Sequence, residues 1–403
     1  MNPDKIFENV YRLPATVCCK DLFEGIWPIP NGVMLNSYLV KGADKTVLID
    51  YVKDWDGAKD NVDQELSSLD MLNKIDYLVI NHMEPDHTGA LKEFAQANPN
   101  LQILCSKKAV PLIQAFYGIS ENVRAVADGE ILDLGGKTLQ FFMTPNVHWP
   151  ETMMTYLVED KTLFSCDAFG AYGVYKNSYD DELTKEEWDL LLPESERYYA
   201  NIISSFSAFT LRAIKKLEAI EVKVICPSHG IVWRNNPKQI IDIYERLANY
   251  GKGKREKEIT LIWSSMYGNT QALVESIVKG VESVGGVKLH IFQVPQEHES
   301  FVLEKVWRSE GIIVGMPTYE YKMFPPMYNV LDQMDRSHVN GRKIARFGSY
   351  GWSGGALKQF MPFVESMKLD FIGEVEYQGA PSEEDKKKAF ELAASMAKSI
   401  LEE

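Results

Sequence analysis

The chain has 403 residues, enough for two or three domains, and its 45% hydrophobic and 25% charged content is the balance of a well-cored globular protein. A net charge of −14 speaks against nucleic acid or an anionic membrane as partner, because both call for basic patches that displace counterions. The longest apolar stretches, such as Tyr77 to Ile80 and Ile312 to Val314, are strand-length, and the amino-terminal Met-Asn-Pro-Asp-Lys carries no signal-peptide core, so no membrane span and a cytoplasmic location are expected.

Short strand-like runs dominate the first part of the chain. They are expected at Tyr38 to Lys41, Thr46 to Asp50, Asp76 to Asn81, Gln102 to Cys105, Leu139 to Thr144, Met154 to Glu159, Thr162 to Cys166 and Val222 to Pro227. Helical spacing appears over Glu186 to Glu218. Many strands with few and late helices predict a sheet-on-sheet core flanked by helices. Two glycines and a charge run near residues 251–257 then mark a linker, giving domains at 1–250 and 258–403. Beyond it the pattern alternates strictly. Strands are predicted at Glu258 to Trp263, Val287 to Val294, Gly311 to Gly315, Lys343 to Gly348 and Phe371 to Tyr377. Helices follow at Thr270 to Ser283, Leu303 to Ser309, Met327 to Met334, Ala356 to Met367 and Glu383 to Leu401. Such alternation predicts an α/β doubly wound parallel sheet.

The five cysteines (Cys18, Cys19, Cys105, Cys166 and Cys226) form no C-x-x-C pair and read as free thiols. The densest chemistry is His82-Met-Glu84-Pro-Asp86-His87, at the end of a predicted strand. Pro85 excludes a helix interior there, so a strand running into a loop is expected to present these groups together. His148, Asp167 and His229 each follow another predicted strand. A lone histidine is more often structural than a ligand, but four of the seven in this chain sit at strand ends; His290, His298 and His338 have no such context. Seven ligands are too many for one ion and suit two. Four imidazoles and three carboxylates without thiolate favour iron or manganese, with zinc possible. Two divalent ions against three carboxylates leave one positive charge, which a bridging hydroxide would balance.

His-x-Glu-x-Asp-His with distant His, Asp and His resembles the metallo-β-lactamase fold in the variant found in flavodiiron proteins. The hydrolase version has His where Glu84 stands, and a carboxylate there shifts preference from zinc towards iron. The resemblance implies an αββα sandwich with a non-haem di-iron site and a bridging oxygen species. By it, His82, Glu84 and His148 hold one iron, Asp86, His87 and His229 the other, and Asp167 bridges them. It also implies a supporting role for tyrosines in Arg197-Tyr198-Tyr199-Ala-Asn, with Tyr199 the catalytic candidate.

In the second region, Ser264-Ser265-Met266-Tyr267-Gly268-Asn269-Thr270 passes from a strand directly into a helix. Hydroxyls and a glycine at such a turn let backbone N–H groups close on a phosphate. Neither G-x-G-x-x-G nor a P-loop is present, and the loop resembles the FMN phosphate loop of flavodoxins. Pro317-Thr318-Tyr319 and Ser349-Tyr350-Gly351-Trp352-Ser353-Gly354 follow the third and fourth strands, where aromatic residues beside glycines can stack on a flat ring. The combined resemblance implies an FMN-dependent oxidoreductase that reduces dioxygen, nitric oxide or both. It further implies a head-to-tail homodimer or dimer of dimers, fed by rubredoxin or a reduced deazaflavin. The competing reading is a metallo-β-lactamase-type hydrolase with an accessory flavodoxin domain.

Overall fold

The computed structural model describes residues 3–18, 20–253 and 255–402; Cys19, Lys254 of the expected linker, and the first two residues lie outside this set. The chain divides into two compact units, Met1–Arg246 and Leu247–Glu403. That division falls inside the helix Pro237–Asn249, ahead of the glycines where the sequence suggests a linker.

In the first unit a seven-stranded sheet runs in the order Asp4–Phe7, Val10–Val17, Val33–Lys41, Thr46–Ile49, Tyr77–Ile80, Gln102–Ser106 and Val123–Val126. A second, five-stranded sheet comprises Ile131–Asp133, Thr138–Met143, Met153–Leu157, Thr162–Cys166 and Val224–Pro227. One apolar cluster joins them. Val10, Val40, Val47, Ile49, Val79 and Leu104 of the first sheet pack with Leu139, Phe141, Met153, Leu157 and Phe164 of the second. Face-to-face burial of alternate side chains makes this the core of a sandwich.

Strand Val10–Val17 has no counterpart in the sequence reading. Arg12 and Pro14 interrupt its apolar run, and the structure accommodates the arginine by burying it completely against Asn36, Asp4 and the Gly230 carbonyl. The helical region resolves into Lys185–Tyr198, a π-helical turn at Tyr199–Ile203, a tight turn at Ser204–Phe206 and a second helix at Ser207–Leu217. Thr184 and Glu187 start it with a reciprocal capping box.

The second unit is a five-stranded parallel sheet in the order Lys288–Gln293, Glu256–Trp263, Ser309–Gly315, Lys343–Tyr350 and Asp370–Gln378. Chain order 2-1-3-4-5 is the flavodoxin-like doubly wound arrangement. Ile259, Leu261 and Ile313 pack against Ile277 and Val281 of Val274–Glu282 and against Ala393, Met396 and Ala397 of Glu383–Glu402. Gly280 permits the close approach of those two helices, since a Cβ there would meet the Phe390 carbonyl oxygen at 2.4 Å. No helix among the described residues is long and apolar enough to cross a membrane.

Candidate functional site

The seven expected metal ligands converge on one end of the sandwich. His82 and Glu84 lie in the loop after Tyr77–Ile80. Asp86 and His87 sit on a single helical turn, Pro85–Thr88, rather than in open loop. Pro85 occupies the first helical position, where its missing N–H costs nothing, so the proline begins this turn instead of preventing it. His148 comes from the loop between Thr138–Met143 and Met153–Leu157, whereas Asp167 and His229 directly follow Thr162–Cys166 and Val224–Pro227. Asp50 and Cys166 at neighbouring strand ends have positive φ (56° and 53°), and such strained backbone concentrates at functional sites.

Two groups form. His82 Nε2, His148 Nε2 and Glu84 Oε2 lie within 2.9–3.3 Å of one another. Asp86 Oδ2 is 3.4 Å from His87 Nε2 and 3.3 Å from His229 Nε2. Asp167 faces both. Its Oδ2 is 3.4 Å from His82 and 3.3 Å from His148, and its Oδ1 is 2.9 Å from His87 and 3.2 Å from His229. Two sets of donor atoms sharing one carboxylate suit a pair of ions.

Hydrogen bonding within the protein does not satisfy these groups. Both oxygens of Asp86, Oδ2 of Asp167 and Nε2 of His229 are buried without a partner among the described residues. Leaving such charges uncompensated costs several kcal/mol. Burial opposes charging the imidazoles, yet hydrogen bonds to Glu151 and Glu84 raise His82 to about 10, and the close negative charges of Asp167 and Asp86 do the same for His229. Burial alone would raise Glu84, but hydrogen bonds from His148 and His82 bring it below the ordinary carboxylate value. The site calls for positive charge where imidazole nitrogens and carboxylate oxygens meet, and two metal ions fit that demand.

Some partners carry no sequence signal. Glu151 Oε1 accepts from His82 Nδ1 (2.8 Å) and from the Met83 N–H (3.0 Å). The Met34 carbonyl accepts from His229 Nδ1 at 3.0 Å. The Tyr199 hydroxyl meets Ser207 Oγ at 2.8 Å, and its ring packs on Tyr244. Its neighbour Tyr198 packs on His229, with ring centres 5.6 Å apart, and its buried hydroxyl has no partner among the described residues. Phe23, 5.3 Å from the His229 ring, completes an apolar wall with Tyr172. A cleft of about 620 Å³, lined by Phe23, Glu24, Lys53 and Trp55, opens onto Glu84 and Asp86.

Of the histidines set aside in the sequence, His290 pairs with Glu258 (2.9 Å) and His298 caps the helix Glu299–Arg308. Cys18, Cys105, Cys166 and Cys226 are free thiols.

In the second unit, three loops leave the carboxyl ends of adjacent strands. Ser264 N–H donates to the Gly315 carbonyl and Met316 N–H to that of Phe347 (2.8 and 3.0 Å), which places the loops side by side. Ser265 Oγ accepts from Gly268 N–H at 3.0 Å, and Tyr377 OH donates to the Asn269 carbonyl at 2.7 Å. Thr318 and Tyr319 form a small hairpin with Lys322–Met323, and Ser349 and Tyr350 still belong to the strand Lys343–Tyr350. Only Gly351 onward is loop, with Ser353 bonding the Gly354 carbonyl. Pro317 precedes the hairpin and Met266 is half-exposed. Tyr267 is 90% and Trp352 73% exposed. Nothing stands within 4 Å of a Cβ built on Gly268 or Gly351. Trp352 Nε1–H donates to Tyr321 OH at 3.2 Å, and open backbone turns beside these exposed rings fit a flat ring and its phosphate.

Comparison with known proteins agrees with both halves. A family described as ODP family beta lactamase matches residues 33–230, and flavodoxin matches residues 261–392. The anaerobic nitric oxide reductase flavorubredoxin of Pectobacterium carotovorum subsp. carotovorum is 38% identical over 332 residues, 81% of this chain. The aligned region is 64% of that relative, so the chain spans just under two thirds of its length. Among solved structures, rubredoxin oxygen:oxidoreductase from Desulfovibrio gigas superposes with a TM-score of 0.93 at 25% identity, covering 100% of this chain and 99% of that one. The flavodiiron protein from Giardia intestinalis gives 0.93 at 25% identity, with coverage of 100% and 97%.

Proposed function

The chain belongs to the flavodiiron family, whose cofactors are a non-haem di-iron centre and FMN, and from that premise we propose that it reduces dioxygen to water, nitric oxide to nitrous oxide, or both. His82, Glu84 and His148 would hold one iron and Asp86, His87 and His229 the other. The observation that carries this reading is the split of Asp167, whose two oxygens face opposite ligand groups. The irons supply one-electron redox chemistry and open positions for a small gas, and FMN supplies further electrons.

The protein's own groups prepare that chemistry. Asp167 fixes the spacing of the two ligand groups. Phe23, Tyr172 and Tyr198 exclude water from the His229 side. The cleft beside Glu84 and Asp86 gives a diatomic gas an entrance, and Glu24 at its mouth is held by the Trp27 indole N–H (2.9 Å). In the second unit, Ser265, Met266, Tyr267, Gly268, Asn269 and Thr270 would bind the FMN phosphate. Pro317, Thr318, Tyr319 and the residues from Ser349 to Gly354 would flank the ring.

Electrons would come from an external donor, rubredoxin or a reduced deazaflavin. The Desulfovibrio gigas relative, named for rubredoxin, supports the first. A head-to-tail homodimer or dimer of dimers in the cytoplasm completes the proposal. The hydrolase alternative is not favoured: Glu84 stands where the hydrolase pattern has histidine, and the relatives are named as reductases and flavodiiron proteins. Metal and flavin analysis with gas-electrode assays tests the reading. About two irons and one FMN per chain, with consumption of either gas by the reduced protein, supports it; zinc with hydrolytic turnover and no gas consumption refutes it.

A further inference from the structure

The outer nitrogens of two ligand histidines meet acceptors of different charge. His82 Nδ1 lies 2.8 Å from the Glu151 carboxylate, and His229 Nδ1 lies 3.0 Å from the neutral Met34 carbonyl. The two belong to opposite ligand groups. Asp50 stands near His87, with ligand atoms within 4.8 Å, but its carboxylate accepts from Asn81 N–H at 2.9 Å, and no hydrogen bond to His87 forms among the described residues.

We infer that Glu151 is a positioning residue that makes the two metal positions inequivalent, giving the one at His82, Glu84 and His148 the tighter hold and the greater preference for the ferric state. This rests on the di-iron reading above. A carboxylate accepting from the outer nitrogen draws the proton towards itself and makes the inner nitrogen a stronger donor, whereas an amide carbonyl does so less. Stronger donation and added negative charge stabilise the more highly charged ion. Glu151 is 2% exposed and its Oε2 has no partner among the described residues. A residue kept only to tether the loop could be Gln, which accepts the same two hydrogen bonds without burying a charge. The negative charge is the feature that tethering leaves unexplained.

The test compares wild type with Glu151→Gln and Glu151→Asp, using ferrous iron under anaerobic conditions against a chelator of known affinity. Wild type should hold two irons per chain, one more tightly than the other. Glu151→Gln should weaken that tighter site by about 10- to 100-fold and raise its reduction potential, with flavin content and circular dichroism unchanged. Glu151→Asp should recover part of both. Equal affinities and potentials in wild type and Glu151→Gln overturn the inference while leaving the di-iron reading intact. A wild type that binds no iron pair overturns both. Should Glu151→Gln not fold, Mössbauer spectra of half-reduced wild type decide. One ferric and one ferrous signal, with the ferric signal altered in Glu151→Asp, supports the inference; two averaged signals, or a ferric signal unchanged in Glu151→Asp, overturn it.

Discussion

The hydroxyl of Thr270 stands 3.1 Å from that of Ser349, a buried contact between the turn after Glu256–Trp263 and the end of Lys343–Tyr350. The two strands are not neighbours; Ser309–Gly315 lies between them. The pair therefore ties the outer two of the three proposed flavin-binding loops together. Replacing Thr270 by Val keeps the shape and removes the hydrogen bond, worth about 1–1.5 kcal/mol. FMN affinity is expected to fall about tenfold with iron content unchanged. Fluorescence titration of the flavin-free protein measures it, and equal affinity in the two proteins removes Thr270 from the phosphate site.

Tyr198 and Tyr199 make opposite predictions from adjacent positions. Tyr199 bonds Ser207, so Tyr199→Phe should cost about 1 kcal/mol of stability and leave gas turnover intact. Tyr198 has a hydroxyl with no partner among the described residues and lies beside His229, so Tyr198→Phe should cost no stability and slow turnover severalfold at full iron loading. Denaturant midpoints and electrode rates separate the two. A Tyr199→Phe protein that is stable, fully metallated and inactive would reverse the assignment.

Much of this site is legible in the sequence because donor atoms placed just after strands end up on one rigid edge. The three central strands of the second unit read easily, since Glu256–Trp263, Ser309–Gly315 and Lys343–Tyr350 are buried along most of their length and appear as apolar runs such as Ile312 to Val314. What the sequence hides depends on tertiary approach. Glu151 meets His82 only because the His148 loop folds over the strand end Tyr77–Ile80, and the Met34 carbonyl has no side-chain signature at all. The two adjacent tyrosines face different surroundings because a π-helical turn begins at Tyr199, so a regular 3.6-residue period does not carry through it. Strand Val10–Val17 is obscured by Arg12 and Pro14, whose burial and placement only the folded sheet explains.

Glu84 is the residue on which the metal preference is expected to turn. Its Oε2 lies 2.9 Å from His148 Nε2 and 3.3 Å from His82 Nε2, so a carboxylate completes a ligand group that the hydrolase pattern builds from imidazoles. In Glu84→His the position becomes softer and loses a negative charge. Protein produced with both metals present should then carry more zinc than iron, reduce either gas more slowly and keep its flavin. Elemental analysis beside an absorption spectrum reads all three. Iron content and oxygen consumption that match wild type would show that Glu84 does not set the preference.

Glu65 is expected to give stability a pH dependence. It lies on Ala58–Ser68, is 1% exposed, and neither of its oxygens has a partner among the described residues. Burial pushes its carboxyl up to about 8, against about 4.3 in an unfolded chain. Between those values the unfolded chain has released the proton while the folded chain keeps it, so the folded state binds more protons and loses stability as pH rises. The stability is fully present below about pH 4 and is lost through about pH 8. Glu65→Gln carries no such proton. Its Tm should stay close to wild type near pH 5 and exceed it by a few degrees near pH 8.5, the difference growing steadily between. Calorimetry across that range checks the sign. Parallel curves would mean that the carboxylate is ionised in the fold and has found a counter-charge.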